Sequence, residues 1–352
     1  MAVSRPFRIA LLGYGLAGRV FHAPLIAAVD ELELTAIVTR DGERRSRARG
    51  DHPAAARLDS PEEVWEGADD FDLAVVAAPN RAHVPLARAA IAAGLAVVVD
   101  KPLATSADEA RVLLRDAQDR GVMLTVFQNR RWDGDFLTVR GLLDEDALGE
   151  VRRFESRFER WRPDLAGGWR ESAEPEEGGG LLYDLGSHLV DQALSLFGPA
   201  AVVYAELDRR RTGAQTDDDT FVALTHASGV RSQLWMSAVA AQPGPRFRVL
   251  GSQAAYVKYG LDMQEESLHA GRRPEDGSWG REPEDRWGLL GSGGKLRRVP
   301  TVAGTYQRFY EGVALALRGS GGPPVEPAEA VAALEVLDAA RASAREQRVV
   351  RI

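Results

Sequence analysis

Three side chains, one in a stretch of the chain far from the other two, are of the types that handle protons and developing charge. The run Val97-Val98-Val99-Asp100-Lys101-Pro102 delivers a lysine at the end of an apolar stretch. Lysine normally keeps to open solvent; in a ligand cleft its charge can act directly or its pKa can fall. Pro102 restricts the preceding residue to extended geometry and stiffens the turn. Later, Gly178-Gly179-Gly180 opens onto Leu181-Leu182-Tyr183-Asp184-Leu185-Gly186-Ser187-His188-Leu189-Val190-Asp191. Asp184 and His188 are four apart and share one helical face, with Asp191 three further on. A helix carrying Asp and His on its polar face, entered through three glycines, reads as catalytic. Two other readings stand beside it. One is a surface Asp–His pair without chemistry; the other is a metal site from Asp184, His188 and Asp191, with suitable donors but no wider cluster. Lys101 alone would be a surface lysine closing a strand.

The elements that must position these groups begin at Phe7–Gly18, an apolar strand running into Gly13-Tyr14-Gly15-Leu16-Ala17-Gly18. In this context the first glycine makes a tight turn and the second admits a pyrophosphate. The third lets the next helix pack closely, with its N-terminal dipole toward the phosphates. Strands are expected at Phe7–Leu12, Glu33–Thr39, Ala55–Leu58, Asp72–Ala78, Leu95–Asp100 and Val122–Gln128, alternating with helices at Leu16–Val29, Ser60–Gly67, Ala82–Gly94 and Ser106–Arg120. Such alternation means an N-terminal Rossmann domain, a doubly wound parallel sheet, over residues 1–128. Pro79 and Asn80 follow a strand, at the edge where ligands bind in such sheets. His83 reads as an ordinary helix N-terminal residue.

After Trp132 the pattern changes. Strand follows strand at Val151–Trp161, Ala201–Leu207, Thr220–Thr225, Arg231–Ala238, Arg246–Leu250 and Ala255–Tyr259. Helices fall near Phe136–Leu143, Asp184–Phe197, Thr305–Leu317 and Pro327–Glu346. Residues 129–352 are therefore expected to form a C-terminal α/β domain with an open, mainly antiparallel sheet, serving substrate binding and oligomerisation. Met263–Arg298 reads as a long irregular excursion. An open sheet leaves a face to cover, so a homodimer or homotetramer is expected.

The acidic residue that holds the adenine ribose in NAD-binding versions of the fold is expected about 20 residues past the glycines. Here the second strand ends Val38-Thr39-Arg40. A cation there suits a 2′-phosphate and points to NADP, with Arg44 and Arg45 able to share the charge. Asp41, one position on, could instead accept ribose bonds, and Arg40 could be a solvated surface residue.

The 352 residues are 45% hydrophobic and 27% charged, as in a globular protein of about two domains. A net charge of −8 argues against a nucleic-acid partner. With no cysteine, thiolate catalysis, disulfides and Cys-ligated zinc are excluded. No apolar stretch is long enough to span a membrane, and a cytoplasmic location is the default expectation.

The segments GYGLAG, AAPN, DKP, FQNRRWDGDF and GGGLLYDLGSHLVDQ, over nearly the whole chain, resemble the Gfo/Idh/MocA oxidoreductase family. Within it they most resemble the NADP-dependent scyllo-inositol dehydrogenases, a similarity extending to GPRFRVLGSQAAYVKYGLD and AGRRPEDGSWG. One departure is visible: the family's Glu-Lys-Pro reads Asp100-Lys101-Pro102. The resemblance implies that Lys101 hydrogen-bonds the reacting oxygen and that His188 is the general base, the acid in reverse. A histidine pKa of about 6.5 suits that role. Asp184 would orient the substrate, and no metal would be needed. Cofactor residues would be Gly13, Tyr14, Gly15, Leu16, Ala17, Gly18, Thr39, Arg40, Arg44, Pro79, Asn80, Lys101, Pro102 and Asn129. Substrate residues are expected among Arg131, Trp132, Arg162, Trp169, Arg170 and Tyr183, able to hydrogen-bond a polyol or sugar. The expected activity is hydride transfer between nicotinamide and a secondary alcohol or ketone of a cyclic polyol, scyllo-inositol leading. A dehydrogenase of another sugar and a catalytically silent NADP-binding regulator are the alternatives.

Overall fold

The computed structural model describes residues 5–165, 167, 171 and 177–352. Its first sheet is β1 Phe7–Leu12, β2 Leu32–Val38, β3 Ala56–Leu58, β4 Leu73–Val76, β5 Ala96–Asp100 and β6 Leu124–Phe127, ordered β3-β2-β1-β4-β5-β6. Every pairing is parallel. The central strands carry almost unbroken Val, Ile, Leu and Ala because helices cover both faces, so each side chain is buried whichever way it points. Strand order reverses between β1 and β4, which opens a crevice at their carboxyl ends. The helix Ala107–Arg120 shows local rules at work. Ser106 Oγ caps it by accepting from Glu109 N at 3.3 Å, and Gly121 ends it at φ 64°. The helix Gly42–Asp51 lacks an apolar stripe, having only Ala48 buried, and hydrophobic periodicity gives no sign of it.

The second sheet has nine strands: β7 Val151–Glu159, β8 Ala200–Asp208, β9 Asp219–His226, β10 Arg231–Ser237, β11 Phe247–Gly251, β12 Ala255–Lys258, β13 Gly288–Ser292, β14 Lys295–Val299 and β15 Val350–Arg351. The order is β14-β13-β12-β11-β7-β10-β9-β8-β15. It is mixed rather than purely antiparallel, since β7 and β10 run parallel. Alternation sets its faces: Val222, Leu224, Leu234 and Met236 are buried, while Phe221 and Trp235 point to the other side. The stretch 263–298 is not wholly irregular. It forms the short helix Gln264–His269, then β13 and most of β14, whose Gly-rich and charged residues hide the strand pattern.

The helix Pro327–Glu346 ties the two parts together. It is opened by a Glu326/Glu329 capping box and lies along β8, while Asp338 Oδ2 accepts from Ala107 N at 2.9 Å. Among the described residues no helix is long and apolar enough to cross a membrane.

Candidate functional site

The crevice between β1 and β4 is a cleft of about 1000 Å³. Of the expected cofactor residues, Gly13, Tyr14, Gly15, Leu16, Ala17, Thr39, Arg40, Arg44, Pro79 and Asn80 line it. Two glycines are there for backbone contact. A Cβ on Gly13 (φ 107°) would overlap Ala77 O, and one on Gly18 would overlap Gly13 O. Gly15 opens toward the cleft, where a Cβ would stand 3.7 Å from the Arg44 guanidinium. Tyr14 lines the cleft but points its hydroxyl away, to Asp51 Oδ2 at 2.8 Å; burial chiefly, and that carboxylate, push the phenol up.

At the far end lie Arg40 and Asp41. Strand β2 stops at Val38, and Asp41 is the N-cap of Gly42–Asp51, its Oδ1 accepting from Arg44 N at 2.8 Å. One carboxylate oxygen is thereby engaged by the helix. Arg40 and Arg44 make no side-chain hydrogen bond or ion pair among the described residues, and both are exposed on the cleft wall at a helix N-terminus. This donor set fits a phosphate better than a bare diol. Arg45 turns elsewhere, to Asp59 and Arg57 O.

The catalytic candidates come together from both parts of the chain. Lys101, at the end of β5, donates from Nζ to Asp184 O at 2.6 Å and to Asp184 Oδ1 at 3.0 Å. The Lys101–Pro102 peptide is cis. Asp184 lies in a π-helical turn, Leu182–Gly186, that continues as the helix Ser187–Phe197 carrying His188. The i,i+4 relation expected of a regular helix therefore holds only loosely, and such turns recur at functional sites. Asp217 anchors the turn: its Oδ2 accepts from Leu182 N at 2.8 Å and from Thr220 Oγ1 at 2.7 Å. Burial pushes the Asp217 carboxyl up.

Sequence reasoning missed Gln128 and His22. Gln128 Oε1 lies 3.2 Å from His188 Nδ1. With the amide oxygen as acceptor, this contact would hold the proton on Nδ1 in the neutral ring. Beneath Lys101, Asp100 Oδ1 accepts from Lys101 N at 2.9 Å and lies 3.7 Å from Nε2 of buried His22, whose Nδ1 contacts Tyr310 OH at 2.6 Å. Burial pushes the Asp100 carboxyl up, but His22 and Lys101 outweigh it, and the carboxyl ends below its ordinary value. Only a long-range contact carries this arrangement, so no local motif could have disclosed it.

Several expected site residues have other work. Arg131 is held by Asp191 (2.8 and 2.7 Å) and Glu329 (2.7 Å), so its guanidinium and the Asp191 carboxylate are paired with each other. Among the described residues no group of three His, Asp or Glu could hold a metal ion. The Tyr183 hydroxyl donates to Thr105 O at 3.0 Å and meets Arg341 and Asp338, away from Lys101. Trp132 packs edge-on against Phe309, and its carbonyl accepts from Gln264 Nε2 and Thr305 N. Asn129 is buried in a short 3-10 turn and, like Gly18, Lys101 and Pro102, does not line the dinucleotide cleft. Arg162 is exposed just past β7, with its N–H on Ala238 O. Trp169 and Arg170 lie outside the described residues. His83 is, as expected, the first residue of a helix, His83–Ala92; fully buried, it bridges Pro102 O (2.7 Å) and Ala78 O (2.9 Å), and burial pushes its pKa down. Across the cleft, Asn80 Nδ2 donates to Gly178 O at 3.0 Å.

Residues 7–128 match the model of an oxidoreductase family with an NAD-binding Rossmann fold, and residues 136–257 match the GFO/IDH/MocA C-terminal domain. The chain is 35% identical to the scyllo-inositol 2-dehydrogenase (NADP(+)) IolW of Bacillus subtilis, over 97% of this chain and 95% of that one. It is 40% identical to the oxidoreductase YdgJ of Escherichia coli, over 97% and 98%. The solved structure of the Bacillus subtilis oxidoreductase yvaA superimposes with a TM-score of 0.94 at 34% identity, covering 99% of both chains.

Proposed function

The chain belongs to the Gfo/Idh/MocA family of oxidoreductases, and on that footing we propose that it is an NADP(H)-dependent dehydrogenase of a cyclic polyol. Scyllo-inositol and its 2-keto form are the leading substrate pair, by analogy with the similar Bacillus subtilis enzyme. The observation that carries the reading is the junction of Lys101 Nζ with Asp184 beside His188, next to a dinucleotide cleft. A silent regulator has no need to assemble that junction from two distant parts of the chain.

The loop from Gly13 to Ala17 would take the pyrophosphate, with Gly18 seating the following helix behind it and Arg40 at the 2′-phosphate. Bound there, the nicotinamide supplies the hydride acceptor in alcohol oxidation and the donor in reverse. Lys101 donates to the substrate oxygen and stabilises the charge that grows on it as its proton leaves. Nε2 of His188 receives that proton, while Gln128 holds the ring in the required tautomer. Asp184 fixes Lys101 and accepts from a neighbouring hydroxyl. We infer also a homodimer or homotetramer through the outer face of the second sheet. There the Phe221 and Trp235 rings lie 5.0 Å apart and Leu289 and Tyr259 are exposed.

Turnover of an inositol and sugar panel with both cofactors tests the reading. Scyllo-inositol with NADP should be the best pair, and Lys101→Ala should lose turnover by about two orders of magnitude or more while still binding NADPH. Full turnover in that variant would remove Lys101 from the chemistry.

A further inference from the structure

One buried histidine beneath the site takes no part in the proposed chemistry. His22 ends the π-helical turn Ala17–His22 that follows the glycine loop, and it is fully buried. Its ring packs on Phe127 at 4.4 Å between centroids and meets the Tyr310 ring edge-on at 6.2 Å. Phe127 and Asp100 are partners in register at the ends of β6 and β5. The residues that follow them, Gln128 and Lys101, are the ones that reach His188 and Asp184. His22 therefore lies at the last rung of the two strands that hand over the site.

The polar contacts of the ring point the same way. Tyr310, on the helix Gln307–Leu317, holds its hydroxyl 2.6 Å from His22 Nδ1, and no other hydrogen bond engages that hydroxyl among the described residues. Burial pushes the Tyr310 phenol well above its ordinary value, so it keeps its proton. With the phenol as donor, the proton of the neutral ring would sit on Nε2. Nε2 is buried, has no hydrogen-bond partner among the described residues, and stands 3.7 Å from Asp100 Oδ1. A buried polar atom without a partner is uncommon and calls for a reason. The same Oδ1 accepts from Lys101 N at 2.9 Å, and Asp100 lines the dinucleotide cleft. The carboxylate stands between the ring and the backbone of Lys101, whose Nζ meets Asp184.

We propose that His22 is a positioning residue for the dehydrogenase reaction: through the Asp100 carboxylate it fixes where β5 releases Lys101, and Tyr310 fixes the ring. This rests on the reading of Lys101 as the group that donates to the substrate oxygen. Nε2–H attracts the carboxylate, and the carboxylate holds the Lys101 N–H, so the lysine enters the cleft from an anchored backbone. Loss of that anchor misplaces Nζ in the transition state while the polyol and cofactor contacts remain. It therefore lowers kcat rather than raising KM.

Steady-state kinetics of wild type, His22→Leu, His22→Gln and Tyr310→Phe on the best polyol test this, with NADPH binding as the measure of folding. His22→Leu should lower kcat about tenfold or more, with KM and the Kd for NADPH within about threefold of wild type. His22→Gln, whose amide can accept from Tyr310 and donate toward Asp100, should restore kcat to within about threefold. In a Lys101→Ala background the His22→Leu loss should shrink below about threefold, because both substitutions act on one group. A loss that stays about tenfold there, an unaltered kcat in His22→Leu, or a Gln variant as slow as the Leu variant overturns the role of His22 alone. No polyol turnover by wild type, or full turnover by Lys101→Ala, overturns the reading of Lys101 and the proposal with it. If His22→Leu loses NADPH binding, Tyr310→Phe decides. A kcat lower by about threefold or more with KM and NADPH binding intact supports the proposal, and an unaltered kcat refutes it.

Discussion

Arg40→Ser should separate the two nicotinamide cofactors. Arg40 is exposed just past β2, and no ion pair holds it among the described residues; Asp41 beside it caps Gly42–Asp51 through Oδ1. A charge-assisted hydrogen bond is worth about 1.5–3 kcal/mol on removal, and solvent screening puts Arg40 at the lower end. The loss is then about 1.5 kcal/mol, roughly a tenfold rise in Kd for NADPH. NADH lacks the 2′-phosphate, so its Kd should move by less than about twofold. Arg44 supplies the contrast. Its guanidinium reaches from the Arg40 end back over Gly15 in the pyrophosphate loop, so Arg44→Ser should weaken both cofactors. Titration of each variant with NADPH and NADH, followed by nucleotide fluorescence at low and high salt, measures this. The NADPH-specific loss should shrink as salt rises. Equal losses of both cofactors in Arg40→Ser, or none, would refute the assignment of Arg40 to the 2′-phosphate.

Two further expectations concern the framework. Arg131→Met should leave Asp191 and Glu329 without their cation and destabilise the fold by about 3–5 kcal/mol, while KM for the polyol changes less than about threefold. Denaturant unfolding with parallel kinetics checks it, and a large KM effect would place Arg131 in the substrate set. Burial pushes the Asp262 carboxyl up to about 6, from an ordinary 3.8. A carboxyl raised on folding binds more protons in the native state between those values, so its stabilisation is present at low pH and lost as pH rises to 6. The loss is about 3 kcal/mol. Asp262→Asn has no such titration, so its stability relative to wild type should rise by about that amount between pH 4 and pH 7 in urea unfolding. A pH-independent difference would show that Asp262 titrates normally.

Much of the frame was legible because its rules are local. Five of the six parallel strands were readable from buried apolar runs, β3 (Ala-Arg-Leu) being the exception, and the glycine loop from a strand that enters it and a helix that leaves it. Elements without a hydrophobic signature escaped. Gly42–Asp51 is almost wholly charged, and β13 and β14 are flanked by glycines and surrounded by charge. Intramolecular partners were not legible either: Arg131 and Tyr183 read as donors for a polyol, and the C-terminal helix supplies both with partners, Glu329 and Asp338.

By itself the sequence determined the doubly wound domain, the dinucleotide loop, the types of the reacting side chains and the cation at Arg40. Each follows from periodicity, turn geometry or the order of neighbours along the chain. Only the tertiary structure decided that Asp41 caps a helix, that Asp191 serves Arg131, that Gln128 meets His188, and that Lys101 meets Asp184. Those outcomes depend on which buried polar group finds its partner across 60 or more residues of chain, apart from the local cap at Asp41. A buried charge is costly unless paired, and the folded chain chooses that pair in space rather than in sequence.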